Sequence, residues 1–238
     1  MNIALIIAGG VGKRTQLNIP KQFFKIDGKP ILFYTLEGFQ EHPEIDAIEL
    51  VCLDDWQNKI HEYSKEYNIS KLKWITHGGE TGQESIRNGV FDLYKHCNKD
   101  DIIIIHDGIR PIIDKSVVSD CIKTCKEFGN AVTSLTYNEQ IFKTTDGKTT
   151  NEYILREKLR RVQTPQAYKM EKLFLSYKKA FDEKIGIYGS SYTNTMMVDL
   201  GETLYFSLGS DKNIKITTYE DIEIFRALLN LKNNTGEF

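Results

Sequence analysis

Short runs rich in Ile, Leu and Val recur along the chain, and most are followed by segments whose apolar residues return every three or four positions. Asn2 to Ile7, Ala47 to Leu53, Lys71 to Thr76, Asp101 to His106 and Ala131 to Tyr137 have the length and β-branched content of buried strands. Between them, Ile31, Leu32, Thr35, Leu36 and Phe39 form one amphipathic face, and Ile86, Val90 and Leu93 another. Strand and helix in alternation predict an α/β fold with a mainly parallel sheet and helices on both faces. Near the end, Thr217 followed by Glu220 reads as a capping box, opening a helix that carries Ile222, Phe225 and Leu229 on one side.

The stretch from Asn138 to Val162 breaks this rhythm, being polar, charged and strand-like, with a turn signal at Asp146-Gly147. It reads as an arm protruding from a single domain that spans residues 1–238. An isolated two-stranded arm is marginal in water and needs something to pack on; a second subunit is the simplest candidate.

Composition narrows the function classes. With 238 residues, 40% hydrophobic and 27% charged, the chain has the length for one large core. Its net charge of -2 is spread without long runs of one sign, so nothing resembles the basic footprint of a nucleic-acid binder or a membrane-surface helix. The early apolar run from Ile3 to Ala8 is too short for a signal-peptide core or a membrane span, and a cytoplasmic location is expected. Cys52, Cys97, Cys121 and Cys125 show neither a disulfide framework nor zinc spacing, and reduced, packed thiols are expected.

The first chemical signal is Ala8-Gly9-Gly10-Val11-Gly12-Lys13-Arg14, directly after the first strand. A parallel sheet leaves its ligand crevice at the carboxyl ends of its strands. Glycines there let backbone N–H groups approach phosphate oxygens, while Arg14 and Lys21 bring the positive charge a triphosphate requires. A P-loop is excluded because Ile7 and Arg14 stand where its first glycine and its hydroxyl belong, and Thr15 takes the place of the last glycine of a dinucleotide fingerprint.

From Ala8 to Pro30 the chain resembles the opening of the nucleotidyltransferases: a glycine loop, an arginine, Pro20-Lys21-Gln22 and then Gly28-Lys29-Pro30-Ile31. Gln22 after Pro-Lys is similar to the cytidylyltransferases that make CDP-methylerythritol and CDP-ribitol. The likeness continues through Gly78-Gly79-Glu80 with Ser85, His106 to Pro111, Gln163-Thr164-Pro165-Gln166, and Asn213 to Thr217. It therefore covers nearly the whole chain, and it implies the Rossmann-like nucleotidyltransferase fold.

That resemblance implies roles. Ile7, Ala8, Gly9, Gly10 and Gly12 would line base and phosphates; Gly79, Glu80, Thr81 and Ser85 would hold the cytosine edge; Asp107 and Gly108 would sit beside the ribose and the phosphates. Arg14, Lys21 and Lys215 match the family's catalytic cations, and Asp107 is the one side-chain ligand nominated for Mg2+. Arg110, Arg156 and Lys215 would meet the acceptor phosphate, Arg156 from the arm of a homodimer partner. His106 is expected to be a packed strand residue. On the acceptor side the pattern departs from the family: Gln140-Ile141 replaces an Asp-Thr pair, Asn194 stands where an acidic residue is common, and Lys212 replaces an Asp. The implied reaction is transfer of CMP from CTP to a small polyol phosphate. Ribitol 5-phosphate is the favoured acceptor and 2-C-methyl-D-erythritol 4-phosphate the alternative, with a non-catalytic nucleotide-binding protein as the reading from another class.

Overall fold

A computed structural model of the chain describes residues 1–10, 19–189 and 192–235. In chain order the elements are β1 (Asn2–Ala8), β2 (Lys25–Ile26), β3 (Lys29–Pro30), α1 (Ile31–Gln40), β4 (Ala47–Cys52), α2 (Gln57–Glu66), β5 (Leu72–His77), α3 (Gly82–Leu93), β6 (Ile102–Asp107) and α4 (Lys115–Phe128). There follow β7 (Asn130–Thr136), β8 (Ile141–Lys143), β9 (Glu152–Ile154), β10 (Arg160–Lys169), α5 (Met170–Glu183), α6 (Thr193–Asp199), β11 (Phe206–Leu208) and α7 (Tyr219–Thr235).

A seven-stranded sheet in the order β11-β7-β10-β6-β1-β4-β5 forms the centre. Only β10 runs against its neighbours. Side chains alternate across the pleat, so Ala4, Ile6 and Ala8 of β1 face a core shared with α1, α2 and α4, while Ile3 and Leu5 face one shared with α3, α5 and α6. This is the two-faced α/β sheet that the apolar pattern predicts. All five strands expected from the sequence are present, within a residue or two of their expected ends.

Two strands were not legible. β10 contains Gln163, Thr164, Pro165 and Gln166, a polar run with a proline that cannot donate to a ladder, so it does not look like a central strand. Its register against β7 shifts between Val162 and Gln166, which accommodates the interruption. β11 is a three-residue edge strand with an exposed Phe206 and Leu208, too short to announce itself.

The chain leaves β1 for β4 and β5 on one side, then crosses back to β6 on the other. β1 and β6 therefore flank the point where strand order reverses, the place where open α/β sheets bind ligands. β7 ends at the same edge, so the hairpin of β8 and β9 starts beside that crevice and returns into β10. The hairpin pairs only with itself, its Asp146-Gly147 turn closed by N–H groups of Lys148 and Thr149 donating to Asp146 Oδ1. The last three residues assigned to the arm, 160–162, belong to β10 instead.

A third apolar cluster joins Ile26, Ile31, Ile112 and Ile216 to Ile222 and Phe225 of α7. The cap of α7 sits one residue later than expected. Asp221 Oδ2 accepts from the Thr217 and Thr218 N–H groups, and Thr218 Oγ1 takes the Asp221 N–H at 3.4 Å. The four thiols are unpaired, and burial raises their pKa values, that of Cys52 to about 12 and that of Cys97 to about 11. Among the described residues no helix is long and apolar enough to cross a membrane.

Glu49 is an anomaly in the core. It lies in β4 between Leu5 and Trp74, wholly buried, and neither carboxylate oxygen has a hydrogen-bond partner among the described residues. Burial raises its pKa from 4.5 to about 8. The folded chain then keeps a proton that the unfolded chain releases, so stability from this site is full below about pH 4.5 and declines as pH rises toward 8. The slope approaches about 1.4 kcal/mol per pH unit. Glu49→Gln should remove that slope: urea unfolding at pH 5.5 and pH 8 (roughly the two ends of the titration) should show the variant gaining on the wild type as pH rises. A constant difference would mean that Glu49 is not held protonated.

Candidate active site

The carboxyl ends of the parallel strands deliver the expected residues to one cleft of about 670 Å³. Gly9 and Gly10 follow β1, Gly78 to Thr81 follow β5, and Asp107 ends β6. Gly12 and Arg14 lie outside the described residues.

Lys21 reaches the cleft because its own turn is fixed from both sides. It opens a single 3-10 turn in which Phe23 is buried and stacks on Trp56 at 3.8 Å. Gln22, also buried, donates from Nε2 to the Ala8 carbonyl at 2.7 Å and the Gly10 carbonyl at 2.9 Å. The turn and the glycine segment are thereby tied together, with Lys21 lining the cleft beside Ile7, Ala8, Gly9 and Gly10.

On the opposite wall, Thr81 caps α3 in a reciprocal box with Glu84. Ser85 Oγ accepts from the Gly79 N–H at 2.9 Å and donates to the Thr81 carbonyl at 3.0 Å, so its hydroxyl shapes the turn that carries Gly79, Glu80 and Thr81 into the cleft. Two glycines here are packing requirements. A Cβ on Gly79 would come within 2.3 Å of Glu84 Cβ, and one on Gly9 within 3.1 Å of Ser85 Oγ. Gly108 plays a similar part away from the cleft lining: its N–H donates to the Ile7 carbonyl at 2.9 Å, and a Cβ would crowd Leu32, Ile7 and Ala8.

Asp107 joins three segments. Its N–H donates to Thr164 Oγ1 at 3.1 Å, and its Oδ2 meets Lys215 Nζ at 3.0 Å and Arg110 Nε at 3.1 Å. Burial works to raise the carboxyl, but Lys215 and then Arg110 outweigh it, and the net pKa lies below the ordinary value. Asp107 is ionised at neutral pH. Lys215 is aimed by alternation: Ile214 and Ile216 pack in the α7 cluster while Lys215 faces the cleft, and the Ile216 N–H donates to the Ile109 carbonyl at 2.9 Å. Neighbouring His106 is fully buried, its Nε2 3.1 Å from the Arg110 carbonyl. Burial pulls its pKa down to about 4, so it is neutral and packed, as expected.

Arg110 lies behind Asp107, with Nη1 donating to the Asn213 carbonyl at 2.7 Å, and does not line the cleft. Arg156 sits on the hairpin, its Nη1 at 3.3 Å from the Asn138 carbonyl, and is likewise outside the cleft of its own chain. Asn194 is buried and its Oδ1 takes the Thr195 N–H, so this departure from the family pattern does not face the cleft. Gln166, Tyr192 and Thr193 do line it, without having been singled out as site residues. Gln166 sat within a recognised motif, and Tyr192 and Thr193 belong to the stretch Tyr192 to Thr195 that stands where the family commonly has an acidic Thr-Asp pair; only folding shows which of its residues line the cleft.

Among the described residues no group of three His, Cys, Asp or Glu side chains could cage a metal. A cation held chiefly by a bound nucleotide's phosphates would fit better, with Asp107, an ionised carboxylate in the cleft, as the side chain that would help to hold it.

The chain is similar to known proteins in sequence and in fold. A sequence model of the IspD family, 2-C-methyl-D-erythritol 4-phosphate cytidylyltransferase, matches residues 2–231. The chain is 54% identical over 232 residues to a ribitol-5-phosphate cytidylyltransferase of Lacticaseibacillus paracasei, covering 98% of this chain and 99% of that protein. It is 37% identical to a 2-C-methyl-D-erythritol 4-phosphate cytidylyltransferase of Clostridium acetobutylicum, covering 96% of this chain and 97% of that one. In structure it is similar to the 4-diphosphocytidyl-2C-methyl-D-erythritol synthase of Anaerococcus prevotii, with a TM-score of 0.80 at 22% identity, covering 96% of this chain and 95% of that chain.

Replacing Gln22 by Leu would leave the Ala8 and Gly10 carbonyls without their buried donor. Gln22→Leu should destabilise the fold by about 2 kcal/mol, read from the midpoint of urea unfolding. A loss below about 0.5 kcal/mol would show that the glycine segment does not depend on this side chain.

Proposed function

The chain belongs to the IspD family of CTP-dependent cytidylyltransferases, and we propose that its acceptor is ribitol 5-phosphate, giving CDP-ribitol and pyrophosphate. The 54% identity to the Lacticaseibacillus ribitol enzyme over almost the full length of both chains carries this choice, against 37% to the Clostridium methylerythritol enzyme.

In the proposed reaction an oxygen of the acceptor phosphate attacks the α-phosphorus of CTP. A new P–O bond forms as the bond to the β-phosphate oxygen breaks, and pyrophosphate leaves in line with the attack. Both reactants are anions, so the site must position them and offset charge. Lys21, on the turn beside Gly9 and Gly10, is suited to the triphosphate; Arg14, by the family pattern, would join it. Lys215, aimed into the cleft and held by Asp107, is suited to the α-phosphate and the incoming phosphate. The turn from Gly79 to Thr81, shaped by Ser85 beneath it, is suited to holding the cytosine edge. Mg2+, when bound by the nucleotide and Asp107, adds further charge neutralisation. Arg110 would act through Asp107 by fixing its carboxylate.

Arg156 reaches no cleft in its own chain, while the hairpin that carries it exposes Phe142, Tyr153 and Leu155. Exposed apolar surface on a two-stranded arm supports a homodimer in which each arm serves the other subunit's acceptor site.

With CTP saturating, kcat/KM for ribitol 5-phosphate should exceed that for 2-C-methyl-D-erythritol 4-phosphate by at least about tenfold, a gap of roughly 1.4 kcal/mol. Pyrophosphate release is the measurement. Equal or reversed preference would replace the ribitol reading with the methylerythritol one.

Lys21→Ala should lower kcat roughly a hundredfold or more, and Arg156→Ala should lower kcat/KM for the acceptor by a similar factor. Mixing the two variant chains and allowing exchange should restore about a quarter of wild-type activity, since half of the dimers are mixed and one of their two sites is intact. No recovery in a mixture shown to exchange would reject the shared site.

A further inference from the structure

The wall of the cleft beside Lys215 is formed where α6 begins. Thr193 is buried there, with Oγ1 at 2.8 Å from Tyr177 Oη, and Asn194 is buried with Oδ1 on the Thr195 N–H. Both of these side-chain oxygens are thus engaged by the protein. Tyr192 is different: it lines the cleft, is 46% exposed, and stands with its ring centroid 5.3 Å from Lys215 Nζ.

Its backbone is fixed from below. Gln83, 1% exposed in the first turn of α3, donates from Nε2 to the Tyr192 carbonyl at 3.1 Å and the Gly186 carbonyl at 3.2 Å, while its Oε1 accepts from Tyr177 Oη at 3.1 Å. The same helix opens with Thr81 and Ser85 on the other wall. One rigid element thus sets the distance between the two walls, and a buried network with each member hydrogen-bonded holds a side chain's origin well.

We propose that Tyr192 is the residue by which this enzyme sorts acceptors, which rests on the polyol phosphate reading above. The face of its ring lies against the Lys215 ammonium and orients it toward the incoming phosphate. Its phenol hydroxyl both donates and accepts, so a linear chain carrying a hydroxyl on each carbon satisfies it. A branch methyl set against it would strip it of water and return no hydrogen bond. Such losses discriminate more strongly than an added methylene does.

The test compares wild type with Tyr192→Phe and Tyr192→Leu in the full chain, CTP saturating, varying ribitol 5-phosphate or 2-C-methyl-D-erythritol 4-phosphate. Tyr192→Phe should cut the ratio of the two kcat/KM values about tenfold, chiefly through KM for ribitol 5-phosphate. Tyr192→Leu should also lower kcat with both acceptors, because Lys215 loses its aromatic neighbour. Thermal midpoints within a few degrees of wild type establish that the variants fold, as expected for a half-exposed side chain. The wild-type ratio alone reports on the ribitol reading; the change in ratio on substitution reports on Tyr192, whichever acceptor wild type prefers. A ratio unchanged within about twofold, or one shifted toward ribitol 5-phosphate, overturns the assignment.

Discussion

Asp107 Oδ2 holds Lys215 and Arg110 at once, in a wall where all three side chains are mostly covered. Two cations on one carboxylate leave a local excess of positive charge. Burial strengthens that field and would be costly without an anion to meet it. The same aspartate is placed by β10, its N–H donating to Thr164 Oγ1, while the segment before α7 brings Lys215 to its carboxylate and the Asn213 carbonyl to Arg110. Three parts of the chain far apart in sequence therefore converge on Asp107 and its partner Arg110, and this end of the cleft depends on their staying there.

The opposite end is built by a different means. It relies on backbone, drawn into place by Gln22 on one side and Ser85 on the other, with Gly79 where a Cβ would collide with Glu84. Backbone N–H groups held in this way need no rearrangement to receive phosphate oxygens. Lys21 brings a positive charge to this end, on a turn pinned by the stacking of Phe23 on Trp56. The site thus has one end made of fixed main chain and another made of a balanced cluster of side chains.

The arm follows from strand direction. Because β7 ends at the cleft edge and β10 runs back antiparallel between β7 and β6, the hairpin is placed beside the site while standing clear of the domain's own core. Phe142 and Tyr153 stand exposed on that hairpin.

From sequence alone, the alternation of apolar runs and helical faces determined the two-faced parallel sheet, since burial forces each strand and helix to show its period locally. The glycine segment, Lys21, Gly79, Ser85, Asp107 and Lys215 were legible because each sits at the end of a readable strand or inside a motif that carries the family resemblance. Tertiary structure decided what depends on neighbours distant in the chain. β10 is a central strand although Pro165 and its polar flanks argue against one, because the sheet supplies partners on both sides and a register shift accommodates the proline. Arg110 took a place behind Asp107 and outside the cleft lining, and Asn194 turned inward, while Tyr192 faced the cleft. Nothing in the local pattern separates these outcomes: which of several polar residues meets a ligand is set by the packing of one helix against another, and that packing exists only once the chain has folded.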